Sequence, residues 1–194
     1  DAYVRAAGHC VQQRKFAEAI PLARRGVERS PANLGGRLML AELYLGLRQP
    51  EQARRVLLDG LPHHGADPAL LKPLLDFLVE RQEDAVVVGL ARKFLGRCAP
   101  GSEAARRLAQ AAATASYLRG NYDQAEAFLQ QAPAWATSAA GRLLSAKIEF
   151  DRGYRELGLM RLRQLAREAP RHIDIQRELI ERLRQQGFHD EARR

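Results

Sequence analysis

The sequence has few of the residues that favour β-strands and no segment apolar enough to cross a membrane. Ile, Val and Thr are sparse, and aromatic residues make up only 6% of the chain, which argues against a fold based on sheets. No run of about 18 apolar residues occurs, so the sequence predicts no transmembrane segment. Ala, Leu, Arg, Glu and Gln dominate instead, and these are good helix formers. With 46% hydrophobic and 28% charged residues, the composition is that of a folded helical protein.

Cysteine is nearly absent as well. Cys10 and Cys98 fall in different units of the repeat pattern described below, where an elongated stack would hold them too far apart to form a disulfide. Unpaired cysteines favour a reducing compartment such as the cytoplasm. No signal peptide is recognisable, but the chain begins at Asp1 without Met, so a membrane-anchored or periplasmic parent protein stays open.

The patterns of common catalytic and metal sites are missing too. There is no glycine-rich phosphate loop and no strand–turn–helix nucleophile elbow. His63 and His64 lie near a predicted helix end, where histidine interacts favourably with the helix dipole, and a metal would need further ligands from elsewhere. Glu83 and Asp84 lie in a turn, where we expect them to cap the next helix. We therefore predict a protein that is not an enzyme and that holds no metal or cofactor.

Six polar turns recur along the chain, each followed by one characteristic position. Five of these positions hold a small residue and the third holds valine; in chain order they are Ala19, Ala53, Val87, Ala125, Gly158 and Ala192. Their spacing stays near 34 residues, except for one interval that is about four residues longer. That interval contains Ala-Pro-Gly-Ser at 99–102, which predicts an inserted loop. A fixed period of this length indicates a repeat architecture.

Between the turns the apolar residues have helical spacing, as at Ile175, Leu179 and Leu183. Each unit is therefore predicted to be helix, short turn, helix, which must stack on its neighbours to bury its apolar face. The pattern resembles the tetratricopeptide repeat (TPR), because Gly120 to Ala125 nearly reproduces the Gly-Asp-Tyr-Asp-Glu-Ala sequence of that family's hairpin. The resemblance implies an all-α fold: a right-handed superhelical stack of antiparallel helix hairpins, a TPR-like α-solenoid.

We predict a single array over residues 1–194. Its repeats are expected at 1–33, 34–67, 68–101, 102–138, 139–172 and 173–194. The last is incomplete, so we expect the chain to be a fragment of a longer protein, with an exposed last half-hairpin that promotes end-to-end self-association. Three prolines should disturb the helices: Pro21 distorts one, Pro73 kinks one, and Pro133 cuts one short. Trp135 is expected in a linker after Pro133.

In the family, the first helix of each hairpin lines a concave groove that holds a partner. The resemblance therefore implies a groove in which an extended or helical peptide contacts apolar anchors and arginines. Carrying the family's register across gives the partner-contacting residues Leu38, Glu42, Leu45, Arg107, Gln110, Thr114, Tyr117, Lys147, Phe150, Arg177, Glu181 and Arg184. Val4, Gly8, Val11, Gln12, Lys72, Asp76, Val79 and Leu143 fall on the same register. The alternative is that several of these side chains pack inside the stack.

One specialised form of this groove is missing. Some family members hold carboxylate tails with Lys and Asn, but the matching positions here carry Val4, Gly8, Met39, Ala69 and Pro73. We therefore predict a protein–protein interaction scaffold with a protein or peptide partner but without that clamp.

Two alternatives stay open. The chain could be a regulatory or adaptor arm of a larger enzyme or assembly machine. It could also bind nucleic acid or an acidic surface through Arg-rich faces, because its net charge is +8 and adjacent arginines occur at 24–25, 54–55 and 106–107. However, the basic residues are scattered and are poorly interleaved with the aromatic side chains on which bases stack.

Overall fold

The computed structural model describes residues 2–65 and 67–193. These residues form thirteen α-helices and two 3₁₀ turns, with no β-strand among them, which confirms the predicted all-α fold. Asp1, Ala66 and Arg194 lie outside the described residues, and with them the two ends of the predicted array. The helices are α1 (Ala2–Gln12), α2 (Phe16–Arg29), α3 (Leu34–Gly46), α4 (Pro50–Leu58), α5 (Leu61–His64), α6 (Pro68–Glu80), α7 (Asp84–Phe94), α8 (Glu103–Leu118), α9 (Tyr122–Gln130), α10 (Pro133–Ala136), α11 (Ala139–Asp151), α12 (Arg155–Glu168) and α13 (Ile173–Gln185).

Consecutive helices pair into hairpins. α1 packs on α2, α3 on α4, α6 on α7 and α11 on α12. α8 and α9 are joined by a hydrogen bond from Ser116 Oγ to Gln124 Oε1 (3.3 Å), and α13 packs against the 3₁₀ turn Glu191–Arg193. Two single-turn helices, α5 and α10, lie between hairpins and were not predicted. Trp135, expected in a linker, lies in α10.

Each hairpin turn contains one residue with a left-handed backbone. These residues are Arg14, Arg48, Gln82, Gly120, Gly153 and Gly187, with φ between 57° and 102°. The next residue donates its backbone N–H to the carbonyl five residues back, for example Lys15 to Cys10 (2.9 Å) and Tyr154 to Glu149 (3.0 Å). This is the hydrogen bond of a Schellman motif, which ends one helix and reverses the chain within a few residues.

The small residue predicted after each turn lies where the two helices of a hairpin touch. Ala19, Ala53 and Ala125 have no accessible surface. A Cβ added to Gly158 would lie 2.8 Å from Phe150 Cβ and 2.9 Å from the Ala146 carbonyl oxygen. The predicted reason for small residues here, close helix approach, is therefore confirmed.

Some local predictions need correction. Pro21 lies inside α2, which continues to Arg29, and Pro73 lies inside α6, which continues to Glu80; the predicted distortion and kink stay predictions. α9 ends at Gln130, three residues before Pro133, as predicted. Glu83 occupies the N-cap position of α7, but its side chain does not cap the helix. Its carboxylate instead accepts a hydrogen bond from Arg54 on α4 (2.6 Å), because a cation is a stronger partner than a backbone amide.

The helices form two compact units, one ending at Leu108 and the other beginning at Ala109, so the boundary falls within α8. The first unit buries large side chains from α6 and α7, among them Leu70, Leu74 and Phe94. The second has one core cluster around Phe150 and Leu183 and another around Leu165 and Ile175. Each unit thus has buried apolar side chains of its own.

Candidate partner-binding surface

Five side chains of the second unit form a connected polar network on the first helices of three successive hairpins. The network consists of Tyr117 on α8, Lys147 and Asp151 on α11, and Glu178 and Arg182 on α13. Tyr117 donates its hydroxyl to Asp151 Oδ2 (2.6 Å). Arg182 donates to Asp151 Oδ1 (2.6 Å) and to Glu178 Oε1 (2.7 Å), and Lys147 Nζ lies 3.0 Å from Glu178 Oε2. The polar network therefore ties α8, α11 and α13 together.

The sequence positions this network through helical periodicity. Lys147 and Asp151 are four residues apart on α11, as are Glu178 and Arg182 on α13, so each pair lies on one face of its helix. Phe150 lies beneath, 5% exposed and in the same core cluster as Leu183. The Arg182 guanidinium sits 4.7 Å from the centroid of the Phe150 ring, a favourable cation–π arrangement.

The network is charge-balanced, with two cations and two carboxylates beside a neutral phenol. Burial, followed by the hydrogen bond to Asp151, raises the pKa of Tyr117 well above its ordinary range. Burial opposes the charge of Arg182, but its hydrogen bonds to Glu178 and Asp151 outweigh that effect and raise the Arg182 pKa. Tyr117 therefore remains a donor and Arg182 a cation across the neutral range, so the network keeps one arrangement.

The structure brings three of the predicted site residues together here. Tyr117 and Lys147 belong to the polar network, whereas Phe150 lies in the core below it. Gln110 and Thr114 share a face of α8 with Tyr117, and Thr114 is exposed. Arg107, earlier on this helix, pairs with Glu103 (2.8 Å).

Sequence reasoning missed three members of the network. Asp151, Glu178 and Arg182 were not predicted as site residues, although the opposite charges spaced four residues apart at 147/151 and 178/182 were a usable signal. That spacing shows which charged residues share a helix face, but not which neighbouring helix they contact.

In the first unit, the predicted residues on α3 differ in exposure. Glu42 and Leu45 are exposed and Leu38 is half-buried. Val4, expected on the groove register, instead fills the space left by two glycines, because a Cβ on Gly26 or Gly36 would lie 2.7 Å from Val4 Cγ2. Val4 therefore packs between helices.

The remaining predicted residues, Arg177, Glu181 and Arg184, are exposed on α13. They line an open groove of about 680 Å³ together with Ile173 and Ile180. Ile173 is 77% exposed. Ile180 is half-buried and packs against the core cluster around Phe150 and Leu183, so the groove borders the core on that side.

Across residues 2–65 and 67–193, no three His, Cys, Asp or Glu side chains are grouped so that they could hold a metal ion. None of the helices in this part of the chain combines the length and apolarity that crossing a membrane requires.

Comparison with known proteins gives a consistent picture. Residues 11–75 match the tetratricopeptide-repeat family TPR_19. A search of curated proteins found no match. A tetratricopeptide-repeat protein from Parabacteroides merdae superposes with a TM-score of 0.74 at 16% identity, over 98% of this chain and 75% of the other. Pseudomonas aeruginosa PilF superposes with a TM-score of 0.61 at 14% identity, over 99% and 86%.

A further similar structure is YrrB, a TPR protein described as having an unusual peptide-binding site. Its TM-score is 0.59 at 15% identity, over 89% of this chain and 88% of that one. Identities this low establish the fold and not the ligand. The predicted resemblance is confirmed: the chain carries a tetratricopeptide-repeat match at residues 11–75 and has the helical-hairpin fold of tetratricopeptide-repeat proteins.

Proposed function

We propose that this chain is a non-catalytic protein-interaction scaffold whose second unit binds a partner segment across α8, α11 and α13. The observation that carries this proposal is the polar network, which joins the first helices of three successive hairpins through Tyr117, Asp151 and Arg182. A surface whose side chains are already fixed loses little conformational entropy when a partner docks on it.

The chemistry of the surface suggests the kind of partner. Because the two cations and two carboxylates of the network balance, a strongly charged ligand gains no net attraction from it. Thr114 is exposed one helical turn before Tyr117 on α8, Glu181 is exposed and precedes Arg182 on α13, and both offer hydrogen bonds. We therefore expect an extended or helical peptide of mixed polarity. The similar fold of YrrB, with its peptide-binding site, supports this class of ligand.

Blocking the surface tests the proposal. Thr114→Arg and Glu181→Arg each place a long side chain at an exposed position on a helix that carries the network, without removing any of the network's hydrogen bonds. Ala127→Arg is the matched control, because Ala127 is exposed on α9, the second helix of its hairpin. Tagged chains would be cross-linked to proteins of a source-cell lysate, with and without nuclease and at two salt concentrations. We expect the first two variants to lose a protein that the wild type and the control retain. Equal recovery by all variants would contradict the proposed surface.

Nucleic-acid binding is the alternative that the same experiment addresses. In each adjacent pair, one arginine contacts another side chain of the protein. Arg24 contacts the Tyr44 hydroxyl (2.6 Å), Arg54 contacts Glu83 (2.6 Å) and Arg107 contacts Glu103 (2.8 Å). A phosphate backbone would have to compete with these partners for the arginines. Loss of all bound material with nuclease or salt would favour this alternative.

The exposed side of α13 favours self-association as a second mode of interaction. The exposed Ile173 and the half-buried Ile180 line the groove there with Arg177 and Glu181, so a second copy would meet both apolar and oppositely charged groups. Sedimentation velocity of wild type and Ile173→Glu across concentration tests this idea. A wild type that remains monomeric at the highest concentration would contradict it.

A further inference from the structure

The first unit contains a pocket of about 540 Å³ between α2, α3 and α4. We call it the arginine pocket and define it by Arg24, Arg37, Tyr44, Gln52, Arg55 and Asp59, which are among its lining residues. None of these residues belongs to the surface proposed above. Val27, Leu40 and Val56 supply the apolar part of its lining, which we call the apolar wall.

Arg37 is a buried cation in this pocket, only 4% exposed. Its Nη1 donates to the Val56 carbonyl (2.9 Å) and its Nη2 to the Pro31 carbonyl (3.0 Å). The side chain passes over Gly60, where an added Cβ would lie 2.5 Å from Arg37 Cδ. Burial lowers the pKa of Arg37, and Asp59 opposes that effect from a distance.

Within the described part of the chain Arg37 forms no direct ion pair, and Asp59 acts on its charge only from a longer distance. No carboxylate there comes within 4.0 Å of its guanidinium. The two backbone carbonyls accept hydrogen bonds from its Nη atoms but carry no net charge, and its buried Nε has no hydrogen-bond partner among the described residues. A buried charge without an opposite charge is costly to hold, and a ligand that supplies that charge would therefore be stabilised in the pocket.

The other charged groups of the pocket nearly cancel. Arg55 and Asp59 form an exposed pair at 4.0 Å. The hydrogen bond to Tyr44 is the main cause that raises the pKa of Arg24, and Glu28, one helical turn away and also in the lining, raises it further. The lining therefore contains three arginines and two carboxylates, which is an excess of one cation. The Tyr44 hydroxyl accepts a hydrogen bond from Arg24 and keeps its own proton as a donor.

We propose that the arginine pocket binds a single carboxylate group, supplied by an aspartate or glutamate side chain of a partner protein. One negative charge matches the excess of one cation. A phosphate dianion would instead bring a second negative charge beside Glu28 and Asp59. The apolar wall fits the aliphatic stem of an acidic side chain, and arginine and phenol donors suit carboxylate oxygens. This site is independent of the polar network and stands whether or not that surface binds a partner.

The probe for this site is N-acetyl-aspartate methylamide, a monoanion, added to the full chain at low salt. Its neutral isostere N-acetyl-asparagine methylamide is the matched control, and inorganic phosphate is the third arm. Two-dimensional ¹H–¹⁵N NMR follows the arginine Nε–H signals and the Gln52 side-chain amide. We expect saturable shifts of Arg24, Arg55 and Gln52 with the aspartate probe only. Equal shifts with the asparagine probe, tighter saturation by phosphate, or no saturation would each overturn the proposal.

A pair of variants locates the binding. Gln52→Glu places a carboxylate at the pocket without touching Arg37, and it should weaken the aspartate probe about tenfold through like-charge repulsion. Gln49→Glu makes the same change three residues earlier, at an exposed position outside the pocket lining, and should leave the affinity unchanged. Wild-type affinity in Gln52→Glu, or equal weakening by both variants, would overturn the assignment. Arg37 itself is left intact because its bonds to the backbone also stabilise the fold.

Discussion

At the scale of single residues, two glycines of this chain differ in whether packing requires the absence of a side chain. Gly158 lies at the contact of α12 with α11, where a Cβ would meet Phe150 and Ala146. Gly89 lies within α7, where a Cβ would meet nothing within 4 Å. The first is required by packing, whereas the second only weakens its helix.

Substituting both glycines with alanine separates these two effects. Gly158→Ala should destabilise the protein by about 1–2 kcal/mol, because overpacking outweighs the gain in helix propensity. Gly89→Ala should stabilise it by up to ~1 kcal/mol, because only the propensity changes. Thermal unfolding followed by circular dichroism measures both. A Gly158→Ala variant that gains stability as Gly89→Ala does would show that α11 and α12 can move apart without a loss of stability.

Glu149 gives a prediction about pH. Its Oε1 lies 2.8 Å from Arg161 Nη1, while Oε2 is buried with no hydrogen-bond partner among the described residues. Burial raises the pKa of Glu149 above its ordinary value, although Arg161 opposes the shift. In the pH range between the unfolded and the folded pKa, the folded state therefore holds more protons than the unfolded state. Stability should fall as pH rises through that range.

Glu149→Gln should remove this dependence. Relative to wild type, the variant should gain stability as pH rises from about 4 to about 7, since glutamine has no charge to desolvate. Chemical denaturation of both proteins across this range gives the difference directly. A difference that does not change with pH, or that grows in favour of wild type, would mean that the pair with Arg161 outweighs the burial.

At the scale of elements, the hairpin turn is the repeated device of this chain. All six turns place one residue in the left-handed region, yet only the last three use glycine there. A residue with a Cβ is strained in that conformation by roughly 1–2 kcal/mol. The turns of the first unit, with Arg14, Arg48 and Gln82, therefore hold strain that those of the second unit avoid.

Exchanging the turn residues tests this difference. Gly153→Ala should destabilise the protein by about 1 kcal/mol, because alanine is strained at φ 102°. Arg48→Gly should stabilise it by about 0.5 kcal/mol, the relief of strain being offset by the greater freedom of glycine in the unfolded chain. Urea denaturation measures both. If both variants shift stability in the same direction, backbone strain does not govern these turns.

At the scale of the whole molecule, the chain divides into two compact units with separate buried cores. In repeat proteins, stability is carried by contacts between neighbouring elements, so damage stays local when units have their own cores. Phe150, which supports the polar network from below, is the position that tests this property in the second unit.

Phe150→Ala should cost about 3–5 kcal/mol through lost packing and the cavity it leaves. Hydrogen exchange followed by mass spectrometry should then show faster exchange in α11, α12 and α13, with α1 to α4 unchanged. Leu74→Ala in α6, also fully buried, is the reciprocal control and should spare α11 to α13. Uniform acceleration along the whole chain in either variant would mean that the two units unfold as one.

The sequence by itself determined the helical hairpins and their period. Small residues such as Ala53 and Gly158 recur at a fixed distance after a polar turn, and the same backbone hydrogen bond closes every hairpin. Such features depend on residues a few positions apart, so a pattern along the chain is sufficient to reveal them. The placement of Tyr117 and Lys147 on first helices followed from the same register.

Only the tertiary structure decided which side chains meet. Tyr117 and Arg182 are 65 positions apart, but Arg182 Nη2 lies 3.2 Å from the Tyr117 hydroxyl oxygen. Arg37 donates hydrogen bonds to the backbone carbonyls of residues 31 and 56. Helical periodicity assigns a residue to a face, but the rotamers of long side chains and the packing of neighbouring helices select its partner. For that reason the polar network and the arginine pocket are visible only in the folded structure, although every residue in them lies on a helix or helix end that the sequence predicted.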